Sequence, residues 1–132
     1  MKSYTDLKQS KKLAEILPLE SADMCWTNHC YGAIRSSMTI SAKTVDEYKS
    51  LLDRFNDSAS IDVFYPAWSL AALLDVLKDN IKIEKTQLDQ SDIFTYSIVG
   101  DGYNYRTYEH DELIDACVEM IVKLHELKML CL

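Results

Sequence analysis

The sequence predicts an α+β fold: a small antiparallel sheet packed against about four helices, with a long C-terminal helix lying on the sheet. Three observations carry this. Apolar residues recur at helical spacing in four separated segments. Between them lie short runs rich in β-branched and aromatic residues. One pair of these runs flanks "GDG" at residues 100–102, the composition of a tight turn. Tight turns join antiparallel strands, whereas parallel strands need long crossovers. A chain of 132 residues fits one globular domain spanning residues 1–132. Its hydrophobic fraction of 48% suffices for a core without disulfides or metal.

In chain order, residues 5–17 form the first helix, with Leu13, Ile16 and Leu17 on one face and Lys8, Lys11 and Lys12 on another. Thr5 suits the N-cap, and Pro18 stops the helix because it has no N–H to continue the ladder. Residues 22–31 and 33–41 read as extended runs, with Gly32 marking a turn between them. Thr44 and Glu47 form a T-x-x-E capping box, and Tyr48, Leu51, Leu52 and Phe55 follow at the spacing of one buried face. "NDSAS" ends that helix. After a short extended "IDVFY", Pro66 sits where a helix begins, and "AWSLAALLDVLKD" is apolar almost all round, as a buried helix is.

"IKIEKTQLD", "IFTYSIV" and "YNYRTYE" read as strands, the last two a hairpin closed by a two-residue loop within "GDG". Either choice of loop places Phe94, Tyr96, Ile98, Tyr103, Tyr105 and Thr107 on one face. Thr95, Ser97, Val99, Asn104, Arg106 and Tyr108 take the other. The first face is the more aromatic and is expected to pack on the helices. Asp111 is a natural N-cap for the last helix. Its apolar stripe runs through Leu113, Cys117, Met120, Leu124, Leu127 and Cys131, widened by Ile114 and Ile121.

Charge narrows the function classes. The net charge of −7 disfavours nucleic-acid binding, which draws affinity from Lys and Arg on phosphates, and equally disfavours an acidic membrane surface. The start of the chain lacks an apolar signal segment, and no apolar run is long enough to span a bilayer. A cytoplasmic location with four reduced cysteines is the expectation.

The stretch "MCWTNHC" brings Cys25, His29 and Cys30 close in sequence. On a strand, Cys25 and His29 share a face but stand roughly 13 Å apart, at about 3.3 Å per residue, while Cys30 points the other way. A tetrahedral zinc needs its ligands far closer, so no metal site is expected. His110, Cys117, His125 and Cys131 are not in close pairs either. No base lies beside Cys25 or Cys30 to activate a thiol, and both read as packed strand residues. Asp115 and Glu119 stand at i, i+4 opposite the apolar stripe, which makes them a solvated helix face rather than an acid–base pair. No phosphate-loop, dinucleotide or zinc-protease motif occurs, and no catalytic residue or cofactor is assigned.

Three strings, "SKKLAEILPLESADM" at residues 10–24, "PAWSLAALLDVL" at 66–77 and "DACVEMIVKLHEL" at 115–127, carry a resemblance. Through them the chain resembles small proteins of unknown function encoded by gut Bacteroidales and their phages or mobile elements. The resemblance covers under a third of the chain. It implies a phage-associated accessory origin and transfers no functional residue. Two functional readings follow. The first is a non-enzymatic accessory protein acting through an unidentified protein partner or self-association. The second is a small-ligand binder or enzyme whose site is assembled from separate elements.

Overall fold

The computed structural model describes residues 2–28, 30–31, 34–35, 37–55, 64–78, 81–90, 92–100 and 105–130, with 30, 31, 34, 35 and 51–55 described through the backbone alone. The fold is α+β. Among the described residues there are four α-helices, and every strand pairing is antiparallel. The chain divides into two compact units, one of Asp6–Ser69 and one of Met1–Thr5 with Leu70–Leu132. The strands expected in one sheet are distributed over several, because each unit builds its own.

In the Asp6–Ser69 unit, α1 (Leu7–Ala14) opens on a capping box at Asp6, not at Thr5. The Asp6 carboxylate accepts the Gln9 N–H at 2.7 Å, and the Gln9 side chain accepts the Asp6 N–H at 3.1 Å. That reciprocal pair satisfies two donors at the helix start, and Thr5 is itself fully buried. Turn bonds carry the chain on to Leu17, and Pro18 then opens a one-turn 3₁₀ helix, Leu19–Ser21.

Strand β1 (Met24–Thr27) is central. β2 (Cys30–Tyr31) and β3 (Ile34–Arg35) form a separate hairpin, and β4 (Thr39–Ser41) flanks β1. The single strand expected over residues 22–31 is therefore broken. The alternation of burial holds through Cys25 and Thr27 and fails at Asn28, which is buried as well, so the period of two ends there. The run expected over 33–41 is likewise divided between β3 and β4. Gly32 lies outside the described residues.

Helix α2 (Val45–Phe55) starts with half of the expected capping box, the Glu47 carboxylate taking the Thr44 hydroxyl and not its backbone N–H. Thr44 Oγ1 accepts the Glu47 N–H at 3.2 Å, and the Thr44 hydroxyl lies 3.2 Å from Glu47 Oε1. Tyr48 meets the Phe64 ring edge-on at 6.0 Å. The side chains of Leu51, Leu52 and Phe55, and the "NDSAS" segment, lie outside the described residues. Pro66 does not open a helix. It sits in β5 (Phe64–Ala67), opposite Cys25, in a sheet ordered β4-β1-β5. An edge strand tolerates a residue without an N–H. Trp68 follows, fully buried, its indole N–H donating to Ser21 Oγ at 2.9 Å. The Ser69 N–H and hydroxyl both donate to the Asp23 carboxylate.

In the other unit, α3 (Leu70–Leu77) buries Leu73, Val76 and Leu77. β6 (Ile81–Gln87) pairs along its whole length with β7 (Phe94–Gly100). The turn between them places Asp89 and Gln90 at φ 44° and 58° and is closed by the Leu88 N–H on the Ile93 carbonyl at 3.0 Å. β8 (Tyr105–Arg106) returns on the other side of β7. Gly100 lies opposite Tyr105, and not opposite Tyr103 as a loop at Asp101-Gly102 would place it, so the register differs from the one expected; residues 101–104 lie outside the described residues. The displacement is an even number of residues and preserves parity. Phe94, Tyr96, Ile98 and Tyr105 still share one face, and Arg106 is on the other.

Ile98 on that first face is fully buried, and Phe94 and Tyr96 are half-buried with the Lys85 ammonium over their rings. On the opposite face an Arg106–Glu84 ion pair reaches over the central strand. Thr95 and Ser97 on that face are buried as well.

Helix α4 (Leu113–Glu126) packs on β7 and α3. Ile114, Cys117, Ile121 and Leu124 form its buried stripe, joined by Met120. Its N-cap is Glu112 rather than Asp111, and no side chain caps it. The stripe stops short of Leu127, which is 44% exposed, because the helix ends there: Lys128 takes φ 57°, and the Met129 N–H reaches back to the Leu124 carbonyl at 2.8 Å. Cys131 lies outside the described residues. No helix among them is long and apolar enough to cross a membrane.

Candidate functional site

The site grows from an irregularity in the returning strand. The Thr107 N–H donates to the Ile98 carbonyl at 2.9 Å, and Tyr96 and His110 exchange two backbone bonds of 2.7 and 2.8 Å. One residue, Ser97, thus separates the pairing points on β7, whereas Tyr108 and Glu109 separate them on the returning segment. This is a β-bulge, which kinks a strand and re-aims the extra residue. The Ile98 N–H, deprived of a regular partner, donates to Thr107 Oγ1 at 2.8 Å, and that hydroxyl donates to the Tyr108 carbonyl at 3.0 Å.

The bulge turns the Tyr108 N–H toward Glu119 of α4, 3.2 Å from each carboxylate oxygen. The Tyr105 hydroxyl donates to Glu119 Oε2 at 2.7 Å, and His110 Nε2 lies 2.8 Å from Glu119 Oε1. One carboxylate therefore gathers three groups from six consecutive residues. Burial, followed by the hydrogen bond to Glu119, pushes the Tyr105 phenol up to about 12.

Beside this clamp lies an open groove of about 560 Å³, lined by Tyr105, Arg106, Tyr108, Val122, Lys123 and Glu126 as well as Glu119. The Lys123 ammonium stands 5.3 Å from the Tyr105 ring centre and 4.0 Å from Glu126 Oε2. The Tyr108 side chain projects at the rim, with the residue 80% exposed. The Arg106 guanidinium holds the Glu84 carboxyl below its usual range. A carboxylate engaged on both oxygens and a phenol kept protonated to about 12 suit binding better than proton transfer near neutrality.

Glu119 and Asp115 are not the solvated pair that helical spacing suggests. Lys2 Nζ donates to Asp115 Oδ1 at 2.8 Å, and the Lys2 backbone N–H donates to Glu112 Oε2 at 2.9 Å. The elements that make the clamp, Tyr105, Tyr108 and His110, went unassigned in the sequence because a bulge has no signature there beyond local donor density.

The other candidates do not assemble. Cys25 and Cys117 are fully buried, free thiols. Burial pushes the first up to about 11, with Glu47 adding to the effect, and burial alone pushes the second to about 12. His29 and the Cys30 side chain lie outside the described residues, as do Asp101 and Gly102. His125 is exposed at the end of α4. Among the described residues no three His, Cys, Asp or Glu side chains converge as metal ligands. Lys8, Lys11 and Lys12 are exposed, with the Lys11 ammonium 4.9 Å from the Tyr65 ring centre.

No protein-family model, no curated protein and no solved structure matches the chain.

Proposed function

We propose that the chain is a non-enzymatic accessory protein that engages a protein partner through the groove between β8 and α4. The observation that carries this reading is the Glu119 clamp: it fixes the backbone beneath Tyr108 and leaves the Tyr108 ring projecting into solvent. Tyrosine and arginine are enriched at the energetic centres of protein interfaces, and a rigid aromatic loses little entropy on binding. The net charge of −7 supports a protein partner over nucleic acid. The phage or mobile-element setting rests on the resemblance of three strings alone, and a cytoplasmic site of action goes with it. A small-ligand reading has one observation in its favour: the groove volume falls in the range of ligand sites, about 300–1,000 Å³.

A photo-crosslinking residue at position 108, expressed in the native host, separates the two. The reading expects one dominant protein adduct from position 108 and none from a control at Glu20. Equal adducts at both positions, or none at either, would overturn it.

A further inference from the structure

We infer that the groove receives an extended peptide segment of the partner, added as a strand to the outer edge of β8 and anchored by a large uncharged side chain between Tyr105 and Tyr108. The inference rests on the protein-partner reading above and specifies its chemistry.

The backbone argument comes from the phase of the ladder. In an antiparallel pair, residues alternate between bonding the neighbour and pointing away from it. The Thr107 N–H bonds the Ile98 carbonyl, which fixes Thr107 as inward-facing. Arg106, opposite Val99, therefore directs its N–H and carbonyl outward. β8 is the last strand in the order β6-β7-β8, so among the described residues these groups face an open edge. The next outward donor, the Tyr108 N–H, is closed off by Glu119. Strand addition is thus registered on Arg106 and ends at the bulge, where the chain of the ligand meets the Tyr108 ring.

The anchor argument comes from charge. Each charged side chain lining the groove already has a counterpart within the chain. Arg106 is paired with Glu84, Lys123 lies 4.0 Å from Glu126, and Glu119 holds the tyrosine and histidine donors. A charged anchor finds only counter-charges that are already paired, whereas an aromatic or aliphatic one meets Val122 and two tyrosine rings. Main-chain bonds for affinity and a pocket for one side chain are the general pattern of strand-addition recognition.

The test pans a random dodecapeptide library on the full chain, subtracting sequences that also bind Tyr108→Ala, and measures synthetic hits by fluorescence anisotropy. We expect enrichment of a large uncharged residue. Arg106→Ala should weaken binding less than Arg106→Pro, because alanine loses the side chain but keeps the outward N–H and carbonyl. Arg106→Pro should weaken it by about tenfold or more, because it deletes the outward N–H that an edge strand can lose without unfolding. N-methylation of the peptide at alternate positions should reproduce that loss without touching the protein's fold. Equal effects of Arg106→Ala and Arg106→Pro, indifference to N-methylation, or a charged consensus would overturn the inference. If no peptide is enriched while position 108 still crosslinks to a protein, strand addition fails and the partner reading stands. If the crosslink is absent too, both fail.

Discussion

The Ile98 amide donates to the Thr107 hydroxyl 2.8 Å away, at the point where a regular ladder would offer a carbonyl. A side chain thus closes the bulge from within the sheet, and Ile98 is fully buried. Removing that oxygen strands a buried N–H. Thr107→Val should destabilise the chain by about 1–3 kcal/mol, while Thr107→Ser, which keeps the acceptor, should lose well under half as much. Urea unfolding of the two variants decides the matter. A larger loss for Thr107→Ser than for Thr107→Val would mean that the methyl group, not the hydroxyl, holds the bulge.

The Tyr105–Glu119 bond has a spectroscopic reading. A hydrogen bond from a phenol to a carboxylate favours the protonated phenol, as burial does. The tyrosinate absorbance should therefore show a late step near pH 12 that Tyr105→Phe abolishes. Glu119→Gln removes the negative acceptor but not the burial. The step should then move to lower pH and remain above the ordinary value of about 10. A late step that survives Tyr105→Phe would place the perturbed tyrosine elsewhere.

The fold class was legible because period and turn chemistry are local. Of the expected stripe, Cys117, Met120 and Leu124 are buried together with the widening Ile114 and Ile121, the face shared by Tyr96, Ile98 and Tyr105 was readable from spacing, and parity protected the faces even though the hairpin register differs from the one expected. What spacing could not show was which strand lies beside which. Pro66 reads as a helix start until its pairing with Cys25, far away in sequence, places it on a sheet edge. Glu119 reads as a solvated carboxylate until the bulge turns the Tyr108 N–H onto it. Both depend on contacts between distant segments, which a local pattern does not encode. Glu112 and Lys128 show the complementary failure: the ends of α4 fall at residues with poor terminal propensity, where tertiary packing overrides the local signal.

The two buried thiols predict the alkaline limit. Cys25 and Cys117 titrate near 11 and 12 in the folded chain, above the unfolded value of about 8.5. Below that value both states hold the protons and the groups contribute nothing to the pH dependence. Above it the unfolded chain releases protons that the folded chain keeps, so stability falls with rising pH until the folded thiols ionise. Between about pH 9 and 11 each thiol steepens the fall by about 1.4 kcal/mol per unit. Cys117→Ala should flatten that slope, whatever it does to stability at neutral pH. An unchanged slope between pH 9 and 11 would show that the Cys117 thiol is not shielded as its burial implies.

The end of α4 gives the sharpest test of backbone reasoning. Lys128 sits at φ 57° in the left-handed region, with its N–H on the His125 carbonyl at 3.0 Å and the Met129 N–H on the Leu124 carbonyl at 2.8 Å. This is the hydrogen-bond pattern in which glycine is the usual residue, because a Cβ costs about 1 kcal/mol or more there. A lysine past a helix C-terminus also gains a few tenths of a kcal/mol from the dipole, so Lys128→Gly alone mixes two effects. Comparing Gly with Ala at the same position removes the charge from the comparison. At position 128, Gly should exceed Ala in stability by about 1 kcal/mol, since only Ala carries the Cβ penalty. At Ala71, exposed within α3, the order should invert, with the native Ala exceeding Gly by about 1 kcal/mol. Thermal or urea unfolding of Lys128→Gly, Lys128→Ala and Ala71→Gly measures both differences. The same sign at both positions would show that the chain at Lys128 does not hold the left-handed conformation that ends the helix.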